Sequence, residues 1–446
     1  MPRLLPLFLV ATLAACEDQL PTSLDAELLP VGPVSVEVRL PWSQFATKAT
    51  VFNGFGRAEE LEDGFIADKY GGRLDAHSLM HFAAFPTSAT VADTTGTTVT
   101  DDSLAVVGAT LTLRLNRASS SNTGPVLIAV SRTLTHWDSH TATWQLAVDS
   151  AGGKQPWPQA GGGPVVAIGQ VIWTPEVDGD SVLLSLDSVT TAGLIDTTLV
   201  ERGLRISLVA PGHQVAVRSL EISLSARPSV HPDTLISLKA AVPFEKTFIY
   251  NPAPAAPTGL RVGGIPSART VITLALPATV PGTPAACAIA ACPLALTPER
   301  LNHATLVLTS RESEAGFRPV ASLRMQALAV LAPEVLPKSP LGPSVFRTSA
   351  GFVLGSNVAG SVFAAGGSRT VEVPITPLVE DLMRGTTDAG GKASPTIAIL
   401  SFSCSDATGV CIEPEQIGFG TFAGVGQPGE PHLRLILTIS NPVGLP

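Results

Sequence analysis

The sequence has few charged and few aromatic side chains. Charged residues make up 15% of the 446 residues and aromatic residues 5%. The net charge of −9 is spread along the chain and leaves no basic patch that would release counterions from phosphates, which argues against nucleic acid as a partner. Beyond the first 15 residues there is no long uncharged apolar run, so we expect no membrane-spanning helix there.

The common signatures of catalytic sites are also missing. The sequence has no Gly-x-Ser-x-Gly elbow, no His-Glu-x-x-His helix and no glycine-rich phosphate loop that opens a helix. We therefore expect a non-enzymatic protein without cofactor or metal. A pair of glycosidase carboxylates has no spacing by which a sequence reveals it, so an exported hydrolase stays as the third hypothesis.

Glycine and proline, by contrast, are abundant, with 40 and 38 residues. Together with recurring threonine, valine and leucine they are typical of a turn-rich, all-β protein. The length favours two domains of about 200 residues each. Apolar and polar residues alternate with the period of half-buried strands in several segments, namely residues 34–40, 109–115, 204–208, 220–224 and 433–439.

Two prolines in residues 226–233 interrupt this strand rhythm and predict a domain boundary. Because similar strands recur in the same order on both sides, we predict two tandem antiparallel β-sandwiches, jelly-roll-like, over residues 34–228 and 234–441. Each is expected to carry one short helix. The clearer helix is residues 376–385, where Thr376 would cap the start and Gly385 the end, and its counterpart is residues 194–203.

The N-terminus has the order of an export signal. Met-Pro-Arg is followed by an apolar stretch over residues 4–15, too short to span a bilayer, which ends in Leu-Ala-Ala before Cys16. These last residues resemble the lipobox of bacterial lipoproteins, which implies a cysteine acylated with diacylglycerol and palmitate-like chains. The alternative is cleavage by the ordinary signal peptidase beside an incidental cysteine. Residues 1–15 are thus the predicted signal peptide and residues 16–33 a flexible stalk.

The anchor also predicts a location. Several acyl chains on one cysteine hold a protein firmly on a bilayer, so the membrane is the expected partner. In such lipoproteins an aspartate directly after the cysteine favours the inner membrane, whereas here Glu17 holds that place. The resemblance therefore implies a protein of the cell outer membrane, facing the periplasm or the exterior.

Four cysteines remain after the anchor, an even number that predicts disulfides in an exported chain. Of the three possible pairings we favour Cys287 with Cys292 and Cys404 with Cys411, because each pair brackets a short turn-like stretch. A zinc site is the alternative, but neither spacing matches the two-residue knuckles of structural zinc sites.

The order of several motifs resembles the DNRLRE-type domains of exported and surface bacterial proteins. The matching segments are residues 78–82 with Pro86, residues 109–111, the Trp-x(5)-Thr-Trp element from Trp137 to Trp144, and residues 431–433. The second half lacks both tryptophans, and the first half's closing strand lacks the proline. The resemblance implies β-sandwiches with an accessory role at the cell surface, sometimes beside carbohydrate-active proteins.

All five tryptophans lie in the first half of the chain. Exposed ones would stack on sugar rings, and Trp137, Trp144 and Trp157 are the candidate ligand-binding residues, whereas burial would make them part of a core. The leading hypothesis is a structural or adhesive surface lipoprotein. A carbohydrate-binding module is the alternative, and the possible partners are a polysaccharide or another surface protein.

Two further patterns have a functional and a structural interpretation. His136, Asp138 and His140 would share one side of a strand and could bind a metal, but a polar outer face is favoured. The Asp-Gly-Asp-Ser sequence at residues 178–181 could bind calcium, but it fits a hairpin turn better. His77 and His81, four residues apart, are expected at an edge or on an outer face.

Overall fold

The computed structural model describes residues 32–52, 63–83, 85–150, 153–196, 198–199, 201–239, 243–251, 259–263, 269–319, 322–335, 341–342, 356–387, 390–404, 411–412 and 417–440. The predicted all-β class is confirmed, because strands joined into antiparallel sheets dominate and the helices are few and short. Cys16, the predicted signal peptide and nearly all of the predicted stalk lie outside these residues. No helix in the described ranges is both long and apolar enough to cross a membrane.

The strands of the first half are β1 (Val34–Pro41), β2 (Ala46–Phe52), β3 (Gly64–Tyr70), β4 (Leu74–Phe82), β5 (Ala89–Ala92), β6 (Thr98–Asp101), β7 (Ala105–Asn116), β8 (Val126–Thr133), β9 (Leu146–Ser150), β10 (Gly153–Pro156), β11 (Val165–Trp173), β12 (Ser181–Leu186), β13 (Leu204–Val209), β14 (His213–Arg227), β15 (Ile236–Lys239) and β16 (Pro243–Tyr250). Those of the second half are β17 (Leu260–Gly263), β18 (Arg269–Leu274), β19 (Thr279–Val280), β20 (Leu294–Ala295), β21 (Leu301–Arg311), β22 (Leu323–Ala329), β23 (Ser356–Val358), β24 (Thr370–Pro374), β25 (Thr396–Cys404), β26 (Cys411–Ile412), β27 (Phe419–Phe422) and β28 (His432–Ile439). The helices are α1 (Trp42–Phe45), α2 (Pro175–Asp178), α3 (Ser188–Ile195), α4 (Pro284–Ile289) and α5 (Thr376–Arg384), with 3-10 turns at Pro298–Arg300, Ala315–Phe317, Pro333–Val335 and Gly360–Phe363.

One ten-stranded antiparallel sheet forms the first core. Its strands follow the order β11-β8-β13-β4-β3-β14-β7-β12, with β15 added to β14 and β16 added to β4. Alternate residues of each strand point inward, so Leu111 and Leu113 of β7 pack with Leu220 and Ile222 of β14 in one buried cluster. The predicted strands 109–115, 204–208 and 220–224 are therefore confirmed as parts of β7, β13 and β14.

Two six-stranded sheets enclose the second core. One has the order β1-β28-β21-β27-β17 with β24 beside β21, and the other has the order β2-β18-β25-β22-β23 with β26 beside β25. The predicted alternation of β28 is confirmed, because Leu433, Leu435 and Leu437 are all fully buried. Burying such leucines on one face stabilises each strand by roughly 1.5–3 kcal/mol per side chain.

The hydrogen bonds divide the chain differently from the predicted boundaries at residue 34 and at residues 228–234. Strands β1 and β2 pair with β28 and β18, so the first ordered segment completes the second core. Strand β16, beyond the predicted boundary, pairs with β4 of the first sheet. The reason is physical: period-2 alternation shows that one face of a strand is buried, but it does not show which sheet buries it.

An aromatic cluster joins the two cores. Phe65 and Phe248 from the first sheet pack with Phe317 and Phe419 from the second half. The amide oxygen of Gln214 on β14 accepts a hydrogen bond from the Ile417 backbone at 3.1 Å. The two cores therefore share a buried contact rather than only a linker.

The two predicted helices have different outcomes. The helix at residues 376–385 is confirmed as α5, which ends where Gly385 adopts a φ of +75°. The Thr376 hydroxyl does not cap α5 as the sequence predicted, but accepts a hydrogen bond from the Ala304 amide at 2.9 Å. The helix predicted at residues 194–203 is wrong, because Asp187 caps α3 earlier, by accepting from the Thr190 amide at 2.7 Å, and α3 ends at Ile195.

The Cys287–Cys292 disulfide is confirmed. It closes a short loop at α4, whose first turn is capped by the Thr283 hydroxyl, which accepts from the Ala286 amide at 3.3 Å. Cys404 and Cys411 occupy directly opposite positions in the β25–β26 pair. Their side chains lie outside the described part of the structure, so this second disulfide stays a prediction.

Candidate functional site

The outer face of the first sheet is half covered by one segment of the chain. We call residues 134–163 the covering segment; the structure describes all of it but residues 151 and 152. Beneath it, cross-strand pairing on β16, β4 and β13 places side chains in rows: Glu245 beside His81, Thr247 beside Leu79 and Arg205, and Ile249 beside His77 and Ser207. A small apolar cluster of Leu79, Trp137, Ala142, Ala147, Trp157 and Ile249 holds the segment down.

The three candidate ligand-binding tryptophans all lie in this covering segment. Trp137 is 1% exposed and Trp157 is 5% exposed, and the Trp157 indole donates a hydrogen bond to the Thr143 carbonyl at 2.9 Å. Both rings therefore form core rather than a sugar-stacking surface, which corrects the ligand-binding interpretation for these two residues. Trp144 is half-buried and keeps part of its ring at the surface.

His81 is the centre of a charged cluster in which Glu201 is buried and His81 and Glu245 are partly buried. Its Nε2 donates to Glu201 at 2.8 Å and its Nδ1 donates to Glu245 at 3.0 Å, while its ring stacks on Trp137 at 3.9 Å between centroids with an angle of 10°. A neutral imidazole has only one N–H, so both bonds together require the charged form. We call His81, Glu201, Glu245 and Trp137 the His81 clasp.

Electrostatics keeps this clasp charged. Burial would lower the pKa of His81, but the hydrogen bonds and charges of Glu201 and Glu245 outweigh burial and raise it above the usual value. Burial likewise would raise the pKa of Glu201, yet the hydrogen bond and charge of His81 lower it overall. An imidazolium bonded at both nitrogens has no lone pair to act as a base, so the clasp is suited to holding segments together.

Glu201 is fixed from several directions. Its side chain accepts a hydrogen bond from the Gly203 amide at 2.5 Å and lies 3.4 Å from the Nδ1 of the exposed His136. A Cβ on Gly203 would come within 2.6 Å of the Trp137 Nε1 and 2.7 Å of the Glu201 Oε1. Glycine at position 203 therefore permits the close approach of β13 to the covering segment.

His77 lies four residues before His81 on β4, and its hydrogen bonding and pKa differ from those of His81. Its Nδ1 donates to the Gly161 carbonyl at 2.7 Å, and its ring lies 5.1 Å from that of Trp144. Burial, with a smaller effect of the nearby Arg205 charge, lowers the pKa of His77 to about 4, so this ring is neutral near pH 7. Both histidines lie on the outer face as expected, but the covering segment half-buries that face.

The predicted metal and calcium patterns take structural roles. His136, Asp138 and His140 do not lie on a strand but in a turn, where the Asp138 carboxylate accepts from the His140 and Thr141 amides at 2.7 and 3.1 Å. Across the described ranges no group of three or more histidine, cysteine or acidic residues is arranged to hold a metal ion.

The Asp-Gly pair at residues 178–179 ends α2 and turns the chain into β12, but the favoured hairpin is wrong, because β11 pairs with β8 and β12 pairs with β7. Asp178 accepts from the Thr174 amide at 2.7 Å, and Asp180 accepts from the Arg117 amide at 3.2 Å. Gly179 has a φ of +64°, which suits the absence of a side chain. Both carboxylates are thus used to cap backbone amides.

The His81 clasp should give stability a measurable pH dependence. The pKa of His81 is raised in the folded state above an unfolded value near 6.5, so its contribution is complete below that pH and is lost as pH rises through the folded-state pKa. Replacing His81 with glutamine should cost on the order of 3 kcal/mol at slightly acidic pH, because it breaks a buried ion pair, and less as pH rises. Urea unfolding of both proteins across the pH range measures this difference.

The matched control is His77→Gln. The pKa of His77 is lowered to about 4 in the folded protein, whereas it is near 6.5 in the unfolded chain. The contribution of His77 to the free energy of unfolding therefore decreases as the pH falls through this range. His77→Gln should therefore reduce the loss of stability in acid, the opposite trend to His81→Gln. A His81→Gln penalty that does not change with pH would contradict the charged clasp.

Comparison with known proteins adds no further identification of this site. A scan against protein-family models found none that matches the chain, and a search of curated proteins found no match either. The resemblance to DNRLRE-type domains thus rests on the motifs quoted above.

Proposed function

We propose that the chain is an exported lipoprotein without enzymatic activity, whose two β-sandwiches act as a structural or adhesive module at the cell surface. The anchor would be Cys16, which follows the Leu-Ala-Ala sequence at the end of the apolar stretch. The protein would be held in the outer membrane by its acyl chains and face the periplasm or the exterior.

The observation that supports the proposal is the His81 clasp, whose titratable side chains bond within the fold. His81 bonds to Glu201 through one ring nitrogen and to Glu245 through the other, which leaves the imidazole no free nitrogen for proton transfer. The Cys287–Cys292 disulfide supports export, because such bonds persist in oxidising compartments. The alternative of a carbohydrate-binding module is weakened, since Trp137 and Trp157 are buried.

Replacing Cys16 with serine tests the anchor. We expect the variant to lose incorporation of labelled fatty acid and either to be released from the membrane fraction or to keep its signal peptide. The matched control is the double variant Cys287→Ser/Cys292→Ser, which removes a disulfide but should keep full lipid labelling. Undiminished labelling of Cys16→Ser would refute the anchor.

A panel of polysaccharides and esters tests the absence of enzymatic activity. We expect no turnover by the purified protein. Turnover that disappears on replacing Glu245 with glutamine, the more exposed of the two clasp carboxylates, would instead establish the hydrolase hypothesis.

A further inference from the structure

Arg205 is a half-buried cation that has no acidic partner in the described part of the chain. It projects from the outer face of β13 between Leu79 of β4 and Ser131 of β8. One of its five donors binds the Gly161 carbonyl, from Nη1 at 3.2 Å, while its buried Nε has no hydrogen-bond partner among the described residues. An unpaired guanidinium in such a position is costly unless an anion completes it.

Ser207 extends this polar patch along the same face. Ser207 is 9% exposed, and its buried hydroxyl likewise has no hydrogen-bond partner among the residues that the structure describes. Ser207 stands directly opposite His77 in the β13–β4 pair, and the half-buried Trp144 packs on that imidazole. Arg205, Ser207, His77 and Trp144 thus surround one polar corner at the edge of the covering segment.

A mostly apolar cleft on the same sheet begins at Val209, the next residue after Ser207 on this face of β13. Cross-strand pairing aligns Val209, Leu127 and Ile172 on the outer face of β13, β8 and β11. With Pro125, Pro211 and His213 they line a cleft of about 530 Å³. Val209 lies four residues beyond Arg205, which corresponds to about 13 Å along an extended strand.

We propose that this face binds a small amphiphilic carboxylate, with its carboxylate group at Arg205 and Ser207 and its apolar body in the cleft of Leu127, Ile172 and Val209. Arginine presents paired N–H groups that match a carboxylate, and the serine hydroxyl adds a third donor. The 62% exposed Ile172 would be covered by the ligand. This site does not depend on the lipid anchor and goes beyond the proposed structural role.

The charge of the corner favours a carboxylate over a phosphate. Arg205 supplies one positive charge, and His77 supplies none near pH 7, because burial lowers its pKa to about 4. A singly charged carboxylate is therefore neutralised, whereas a phosphate dianion would keep an uncompensated charge beside buried groups.

Calorimetric titration of the whole mature protein tests the site with three probes of equal chain length: octanoate, 1-octanol and octyl phosphate. We expect octanoate to bind at least tenfold more tightly than either of the others. Arg205→Met, which keeps an apolar stem without charge, should weaken octanoate binding at least tenfold. Ile172→Ser should weaken it by a smaller factor, because it removes only part of the apolar floor.

Arg114→Met is the matched control, since Arg114 lies on β7 and pairs with Glu221. It should leave octanoate binding unchanged. If Arg205→Met fails to fold in a thermal melt, Arg205→Lys replaces it, and loss of the paired donors should still weaken binding. Absence of octanoate binding to the wild type, equal binding of 1-octanol, or unchanged binding after substitution of Arg205 would each overturn the proposal.

Discussion

Replacing Phe45 with alanine is expected to destabilise the second sandwich by about 3–5 kcal/mol, although Phe45 lies near the start of the chain. Its ring is fully buried, packs edge-on against Trp42 at 5.4 Å, and belongs to the core that β21 and β28 enclose. Hydrogen exchange should therefore show lost protection in β21 and β28, with β7 and β14 much less affected.

The matched control for Phe45→Ala is Leu111→Ala. Leu111 is also fully buried, but it lies in the first core on β7. Its replacement should cost about 2–5 kcal/mol and lower protection mainly in β7 and β14. Should Phe45→Ala instead lower protection mainly in the first sheet, the assignment of residues 34–52 to the second core would be wrong.

The sequence predicts strands well where one face is apolar along their whole length. Leu433, Leu435 and Leu437 alternate without a break, and the structure buries all three. The same rule places β1 as a strand but gives no information on its partner, which lies about 400 positions away, as the pairing of Val36 with Leu437 shows. Strand pairing over such separations depends on the tertiary fold rather than on local pattern.

The His81 clasp lies beyond what local pattern reveals for a similar reason. His81, Glu201 and Glu245 come from three separate segments, and none stands in a motif that indicates an ion pair. Glu201 was expected at the end of a helix, but Asp187 caps α3 early and frees residues 201–203 to approach Trp137. The Trp-x(5)-Thr-Trp element did mark the covering segment, in which Trp137 belongs to a buried cluster and Trp144 packs against it.

The clasp also explains why a charged group stands on this face. A purely apolar contact would bury the covering segment equally well, since buried ion pairs add little net stability over well-packed hydrophobic residues. The imidazolium, however, donates two hydrogen bonds in fixed directions, here to the carboxylates of Glu201 and Glu245. It therefore selects one arrangement of β4, β16 and the segment that leads into β13, which fixes the edge of the corner formed by Arg205 and Ser207.

The second large effect is expected for Trp137→Ala. This variant should lose about 3–5 kcal/mol of stability, because a fully buried indole is removed and the His81 ring loses the aromatic ring on which it stacks. Release of the covering segment would open the Glu201 carboxylate to water and weaken its bond to His81. Hydrogen exchange over residues 134–163 and urea unfolding measure the two effects.

Two variants separate this stacking role from bulk hydrophobicity. Trp144→Ala removes a half-buried ring of the same segment and should cost less than half as much, because less apolar surface returns to water. Trp137→Phe keeps an aromatic face against His81 and should preserve much of the pH dependence that His81 confers, whereas Trp137→Ala should flatten it. If Trp137→Ala and Trp144→Ala lower the free energy of unfolding equally and both keep the pH dependence of the wild type, then the His81 clasp does not hold the covering segment in place.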